Sequence, residues 1–154
     1  MDRDPAYAEW TERLSRLWQE GIPLAAAMQV EIRQLDERRL ALTAPLAPNR
    51  NHMGSAFGGS LQGLATLAGW GVTLVAAGEP GARHVVIRSA QMNFLQPVVG
   101  ELLAQAAFPS PAATAAFRIT LAERGRARLT VPVAIRGPGD EVAARFVGEF
   151  VAFA

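Results

Sequence analysis

The sequence has no cysteine. Disulfides, thiolate catalysis and cysteine-ligated zinc are therefore excluded. It has no lysine either, and all 15 basic side chains are arginine. A mechanism that runs through a Schiff base or a lysine amine has no group to use. A dominant charge is also missing: the formal net charge is +1. Nothing in that balance argues for nucleic acid or an anionic membrane surface as a partner. The opening stretch MDRDPAYAEWTERLSRLWQE is charged throughout and lacks the apolar centre of a secretory signal. The expectation is a cytoplasmic protein.

What is present suffices for a full hydrophobic core. Half of the 154 residues are hydrophobic and 19% are charged, which fits one domain over residues 1–154 and argues against global disorder. From Ser55 to Gly78 there is no charged residue. That length can cross a bilayer. The segment is, however, rich in glycine, carries Ser60, Gln62, Thr66 and Thr73, and has no basic cluster at either end. It reads as a helix buried on nearly all sides by its own protein, not as a membrane span.

Around this helix the periodicity is mostly that of strands. Residues 5 to 20 predict an amphipathic helix, with Pro5 in its first turn and Trp10, Leu14, Leu17 and Trp18 on one face; Gly21 and Pro23 end it. From Met28 to Pro45 the apolar residues alternate, which predicts a β-hairpin with one wet face. The long helix should start between Ser55 and Ser60 and end near Ala77, stopped by Gly78, Pro80 and Gly81. Strands are then expected over 85–95, 101–108, 115–124, 126–136 and 141–153, with turns at Pro109-Ser110-Pro111 and Gly137-Pro138-Gly139-Asp140. No fixed-period repeat is visible. Long strands following one central helix suggest an antiparallel sheet wrapped around it, an α+β arrangement. An exposed sheet edge on such a unit would normally be covered by a second copy.

The chemistry concentrates where loop meets helix, in Asn51-His52-Met53-Gly54-Ser55-Ala56-Phe57-Gly58-Gly59-Ser60. Backbone N–H groups at a helix start are unsatisfied within the helix, and the dipole there favours developing negative charge. The adjacent glycines let a ligand approach the backbone closely. Gly-x-Ser-x-Gly is absent, so Ser55 and Ser60 do not read as nucleophiles. His52 can titrate near neutral pH but reads more naturally as a loop histidine, and His84 as a structural one. Two histidines without an acidic cluster form no metal site of recognisable spacing, and no cofactor is implied.

Asn51-x-x-Gly54-x-x-Phe57-Gly58-Gly59 resembles the Asn-x-x-Gly-x-x-His-Gly-Gly signature of hotdog-fold thioesterases related to the phenylacetate-pathway enzyme. Gly54 to Leu61, followed by Ala65-Thr66-Leu67-Ala68-Gly69-Trp70-Gly71, is similar to one subgroup, the thioesterase domain at the C-terminus of YiiD-type proteins. The resemblance covers the chain from about Pro23 to its end. It implies the hotdog fold and a thioester hydrolase acting on acyl-CoA or acyl-carrier protein, working as a homodimer or homotetramer.

Carried over position by position, Asn51 would orient the water or the thioester. Gly58 would offer its N–H to the thioester carbonyl. Thr66 stands where the family's catalytic Asp or Glu sits, and Phe57 where many relatives have His. A threonine hydroxyl does not accept a proton at neutral pH without a partner. Glu101, Asp140, Glu149 or a histidine of a second copy are candidates for the missing base. His52, Met53, Gly54, Phe57, Gly59, Ser60 and Trp70 would contact substrate, with Met92 and Phe94 as further tunnel residues. Arg83, Arg88 and Arg118 are candidates for CoA phosphates. Two alternatives follow: a module that binds acyl thioesters or fatty acids without hydrolysing them, and, further off, a hotdog dehydratase, for which only His52 is available.

Overall fold

The computed structural model describes residues 4–154. Helix α1 spans Pro5–Gly21. Asp4 caps it by accepting from the Ala6 N–H at 3.0 Å, and Pro5 fills the first turn, where no N–H is needed. Leu14 and Trp18 are buried, as the helical spacing predicts; Leu17 is exposed. A short helix α2, Pro23–Met28, follows at once. The sequence reading ended helical structure at Gly21 and Pro23; Pro23 instead starts this helix as its first residue.

Strands β1 (Glu31–Leu35) and β2 (Arg39–Ala44) form the expected hairpin. The expected wet face is not there on β2, where Leu40 to Ala44 are all buried. The cause is tertiary: β2 lies between β1 and β4, so it is no longer a two-stranded ribbon.

Helix α3 is Gly58–Ala77, and Gly78 ends it at φ +73°. Strands β3 (His84–Phe94), β4 (Leu102–Ala107), β5 (Arg126–Arg136) and β6 (Val142–Phe153) complete a six-stranded sheet of order β1-β2-β4-β5-β6-β3. Every pairing is antiparallel. The sheet curls around α3, which touches β2, β3, β4, β5 and β6. This is the α+β hotdog arrangement. By length and composition α3 could cross a membrane, but most of it is buried inside the chain's own fold.

The glycines of α3 set how closely it packs. A Cβ on Gly69 would stand 2.5 Å from the Phe150 ring of β6. One on Gly71 would stand 2.7 Å from Leu40 Cδ2 and 3.2 Å from Trp18. The helix backbone therefore rests directly on large side chains of β6, β2 and α1.

One expected strand is a helix. Residues 115–124 belong to α4, Pro111–Arg124. Phe117, Ile119 and Leu121 suggest alternation, yet Phe117 and Leu121 are buried at i, i+4 spacing while Ile119 is 57% exposed. The decisive signals lie at the ends. The Ser110 hydroxyl accepts from the Ala113 N–H at 3.1 Å, Pro111 occupies the first turn, and Gly125 closes the helix at φ +72°. Arg118 of α4 donates its Nε–H to the Ala76 carbonyl at 2.8 Å, placing a cation at the negative end of α3.

Candidate active site at the start of the central helix

The segment before α3 is a tight hairpin. Arg50 bridges to Ala56, the Asn51 N–H donates to the Ser55 carbonyl at 2.7 Å, and the Phe57 N–H donates to the Asn49 carbonyl at 2.7 Å. The Ala56 N–H donates to Val98 at 2.8 Å, pinning the hairpin to the chain beyond β3. His52, Met53 and Gly54 form its exposed tip, and Gly54 takes φ +85°, a conformation that favours glycine.

Asn51 organises this hairpin from inside. Its Oδ1 accepts from the N–H groups of Met53 at 2.8 Å and Ser55 at 3.1 Å, and its Nδ2 donates to the Ser55 hydroxyl at 2.8 Å. The side-chain amide is therefore engaged in loop structure. Asn49 is a residue the sequence does not single out. It is buried, and its Nδ2 donates to the carbonyls of Met28 at 2.9 Å and Pro45 at 2.8 Å. It ties the hairpin to the ends of α2 and β2.

Phe57 is the N-cap, and it has no side-chain acceptor to offer. Its carbonyl accepts from Ser60 at 2.9 Å and Leu61 at 3.1 Å. The N–H groups of Gly58 and Gly59 have no acceptor among the described residues. The Phe57 ring lies over Gly59, where a Cβ would be 2.6 Å from Cε1; the Phe94 ring lies 3.5 Å from the Cβ position of Gly58. Two exposed aromatic rings thus flank the start of the helix.

Gly59, Gln62, Gly63, Thr66 and Trp70 share one face of α3 that is not buried, with Gly59, Gly63, Thr66 and Trp70 three or four residues apart and Gln62 beside Gly63. It lines a cavity of about 350 Å³, closed by Leu24 and Met28 of α2 and by Leu67. No charged side chain lines this cavity. The site offers backbone dipoles and apolar walls. Thr66 Oγ1 donates its proton to the Gln62 carbonyl at 2.8 Å, so the hydroxyl is left with lone pairs to present.

The remaining candidates lie apart from this cavity or are engaged elsewhere. Glu101 pairs with Arg33, Asp140 with Arg136, and Glu149 with Arg88 and Arg128. Arg118 is bound to Ala76. Arg83 and His84 line a second cavity at the far end of α3. Met92 is partly buried against the core. Among the described residues no group of three or more His, Asp or Glu could hold a metal ion.

Residues 11–154 match the family described as "Putative thioesterase (yiiD_Cterm)". A solved protein of unknown function from Chlorobaculum tepidum TLS is 29% identical, with 96% of each chain covered and a TM-score of 0.90. A "putative thioesterase" from Shewanella oneidensis is 26% identical over 96% of this chain and 99% of that one, with a TM-score of 0.84. The PaaI protein of the phenylacetic acid degradation operon of E. coli shares the fold, at 18% identity, 96% coverage of each chain and a TM-score of 0.68.

Proposed function

Because the chain belongs to the YiiD C-terminal thioesterase family, we propose that it hydrolyses acyl thioesters carried on the pantetheine arm of CoA or of an acyl carrier protein. The observation that carries this reading is the pair of acceptor-free N–H groups at Gly58 and Gly59, with Gly59 lining an uncharged cavity along α3. The thioester oxygen accepts from these donors, and the negative charge of the tetrahedral intermediate is held by them and by the helix dipole. Preorganised donors of this kind contribute on the order of a hundredfold or more to acyl transfer. Water adds to the carbonyl carbon, the C–S bond breaks, and the thiol and carboxylic acid leave.

Asn51 acts by position, holding the hairpin that aims the helix start. Thr66 stands about 10 Å along α3 from Gly59, so the water it holds attacks a thioester bound at the helix start of a second copy; its own proton is given to Gln62. The His52-Met53-Gly54 tip and the Phe57 ring cover the reacting group, and Ser60 stands one turn inside. The proton released by the water goes to a carboxylate or histidine brought by a second copy. A homodimer is supported by the sheet edges. The β1 edge is 5 residues long, whereas β3 presents an 11-residue edge with Val86, Ile87 and Phe94 exposed. Sedimentation of the parent and of Ile87→Lys tests this: the parent should run as a dimer or larger, the variant as a monomer.

Purified protein incubated with acyl-CoAs of graded length and a thiol-trapping dye tests the activity. Thiol release is the expected result, and silence from a folded protein on this panel and on acyl-carrier-protein thioesters of the same lengths would sink hydrolysis. A second reading, acyl-thioester or fatty-acid binding without turnover, is favoured by the lack of any carboxylate lining the cavity. Binding without release is its signature.

A further inference from the structure

Trp70 is a wall of two cavities at once. Toward the start of α3 lies the uncharged 350 Å³ cavity with Gly59, Gly63 and Thr66. Toward the end of α3 lies a cavity of about 670 Å³, where Leu17 and Leu74 contribute apolar walls and Arg16, Arg83 and His84 add polar ones. The indole is held from both sides of the groove. Its Nε1–H donates to the Val85 carbonyl of β3 at 2.7 Å, and its ring leans on Trp18 of α1 with centroids 6.3 Å apart at 54°. Trp18 is itself 2% exposed, so it gives Trp70 a fixed backing.

Trp70 therefore bridges the groove between α1 and β3, dividing an apolar half from one with cationic walls. At 1.5 Å rise per residue it stands about 16 Å along the helix from Gly59. We propose that Trp70 is the residue that limits acyl chain length. The chain runs from the Gly58 and Gly59 donors along the stripe of α3 and ends against the indole. This rests on the thioester reading above. A longer chain would have to turn the indole away, breaking its bond to Val85 and its contact with Trp18, and would then enter a cavity whose walls include charged side chains.

S-alkyl-CoA thioethers, from butyl to hexadecyl, test the proposal by calorimetric titration without any need for turnover. With the parent, affinity should rise about fourfold for each methylene that the apolar cavity accepts, then level off or fall. Trp70→Ala joins the two cavities, so its affinity should continue to rise beyond the parent's limit, giving at least a tenfold gain for chains two or more methylenes longer. Trp70→Leu serves if the alanine variant does not fold, with the same direction. Trp70→Phe keeps most of the barrier and should stay near the parent's limit. Gly63→Leu works the opposite way: a Cβ there is already 3.4 Å from Met28 Sδ, so a leucine fills the cavity and shortens the preferred chain. A parent with a clear length limit that both Trp70→Ala and Trp70→Leu retain overturns the proposal and leaves the thioester reading standing. No binding of any thioether to parent or variants, with the same alkyl chains offered on holo-acyl carrier protein as well as on CoA, overturns both.

Discussion

The Thr66 hydroxyl donates to the Gln62 carbonyl one turn back on α3, at 2.8 Å. The side chain is thereby fixed as a hydrogen-bond acceptor in the site, with no proton of its own left to give. Thr66→Asp would put a carboxylate in a cavity that has no charged lining, where desolvation raises its pKa toward the range of a useful general base. CoA release by this variant should exceed the parent's by on the order of a hundredfold. Thr66→Val keeps the shape and should release CoA more slowly than the parent. If Thr66→Val matched the parent, Thr66 would have no part in holding water.

Asn51 offers a way to separate loop building from direct contact with the reaction. Asn51→Ala removes three hydrogen bonds inside the hairpin and should cost about 1–2 kcal/mol of stability. Substrate affinity should fall with it. Asn51→Asp keeps the acceptor for Met53 and Ser55, and the Ser55 hydroxyl can reverse its bond and donate. This variant should recover most of both stability and affinity, measured by urea unfolding and by acyl-CoA titration. Failure of Asn51→Asp to rescue affinity while rescuing stability would move Asn51 into direct contact with the substrate.

Gly69→Ala sets two effects against each other. Helix propensity favours alanine by up to about 1 kcal/mol. Overpacking against Phe150, 2.5 Å from the new Cβ, costs typically about 1–3 kcal/mol. The net should be destabilising, read as a lower denaturant midpoint. Gly63→Ala meets Met28 Sδ at an ordinary 3.4 Å and should instead gain stability from propensity. The opposite signs at two glycines of one helix are the check.

Asp36 shapes the β1–β2 turn. Hydrogen bonding from the Gln34 amide, helped by the N–H groups of Arg38 and Arg39, holds its carboxyl below the ordinary value of 3.8, against the opposing effect of partial burial. A carboxyl with a lowered folded-state pKa stabilises fully above its unfolded value and loses that contribution as pH falls through the folded one. Asp36→Asn should therefore be less stable than the parent at neutral pH, with the gap closing in acid below 3.8. Unfolding both proteins in urea across that range measures it. A gap that does not change with pH would exclude an ionic contribution from Asp36.

Much of the architecture was determined by the sequence alone, because its signals are local. Pro5 and Gly78 bound their helices by backbone conformation, whatever surrounds them. The charge-free run of α3 already required burial, and the alternation in β5 and β6 required a sheet with one inner face. The loop motif located the helix start and its donors. Residues 115–124 misled because three apolar residues at spacing two fit a strand, while the Ser110 cap that decides for a helix lies outside the alternating stretch.

Only the tertiary structure decided what the candidate residues touch. Asn51 turned inward because the hairpin needed its amide. Asn49 gained a role from Met28, a residue far off in the chain. Trp70 became the partition between two cavities because β3 supplies Val85 and α1 supplies Trp18. Each of these depends on pairings between segments many residues apart. Periodicity reports which way a side chain faces along its own element, and it carries no information about which neighbour the fold brings to meet it.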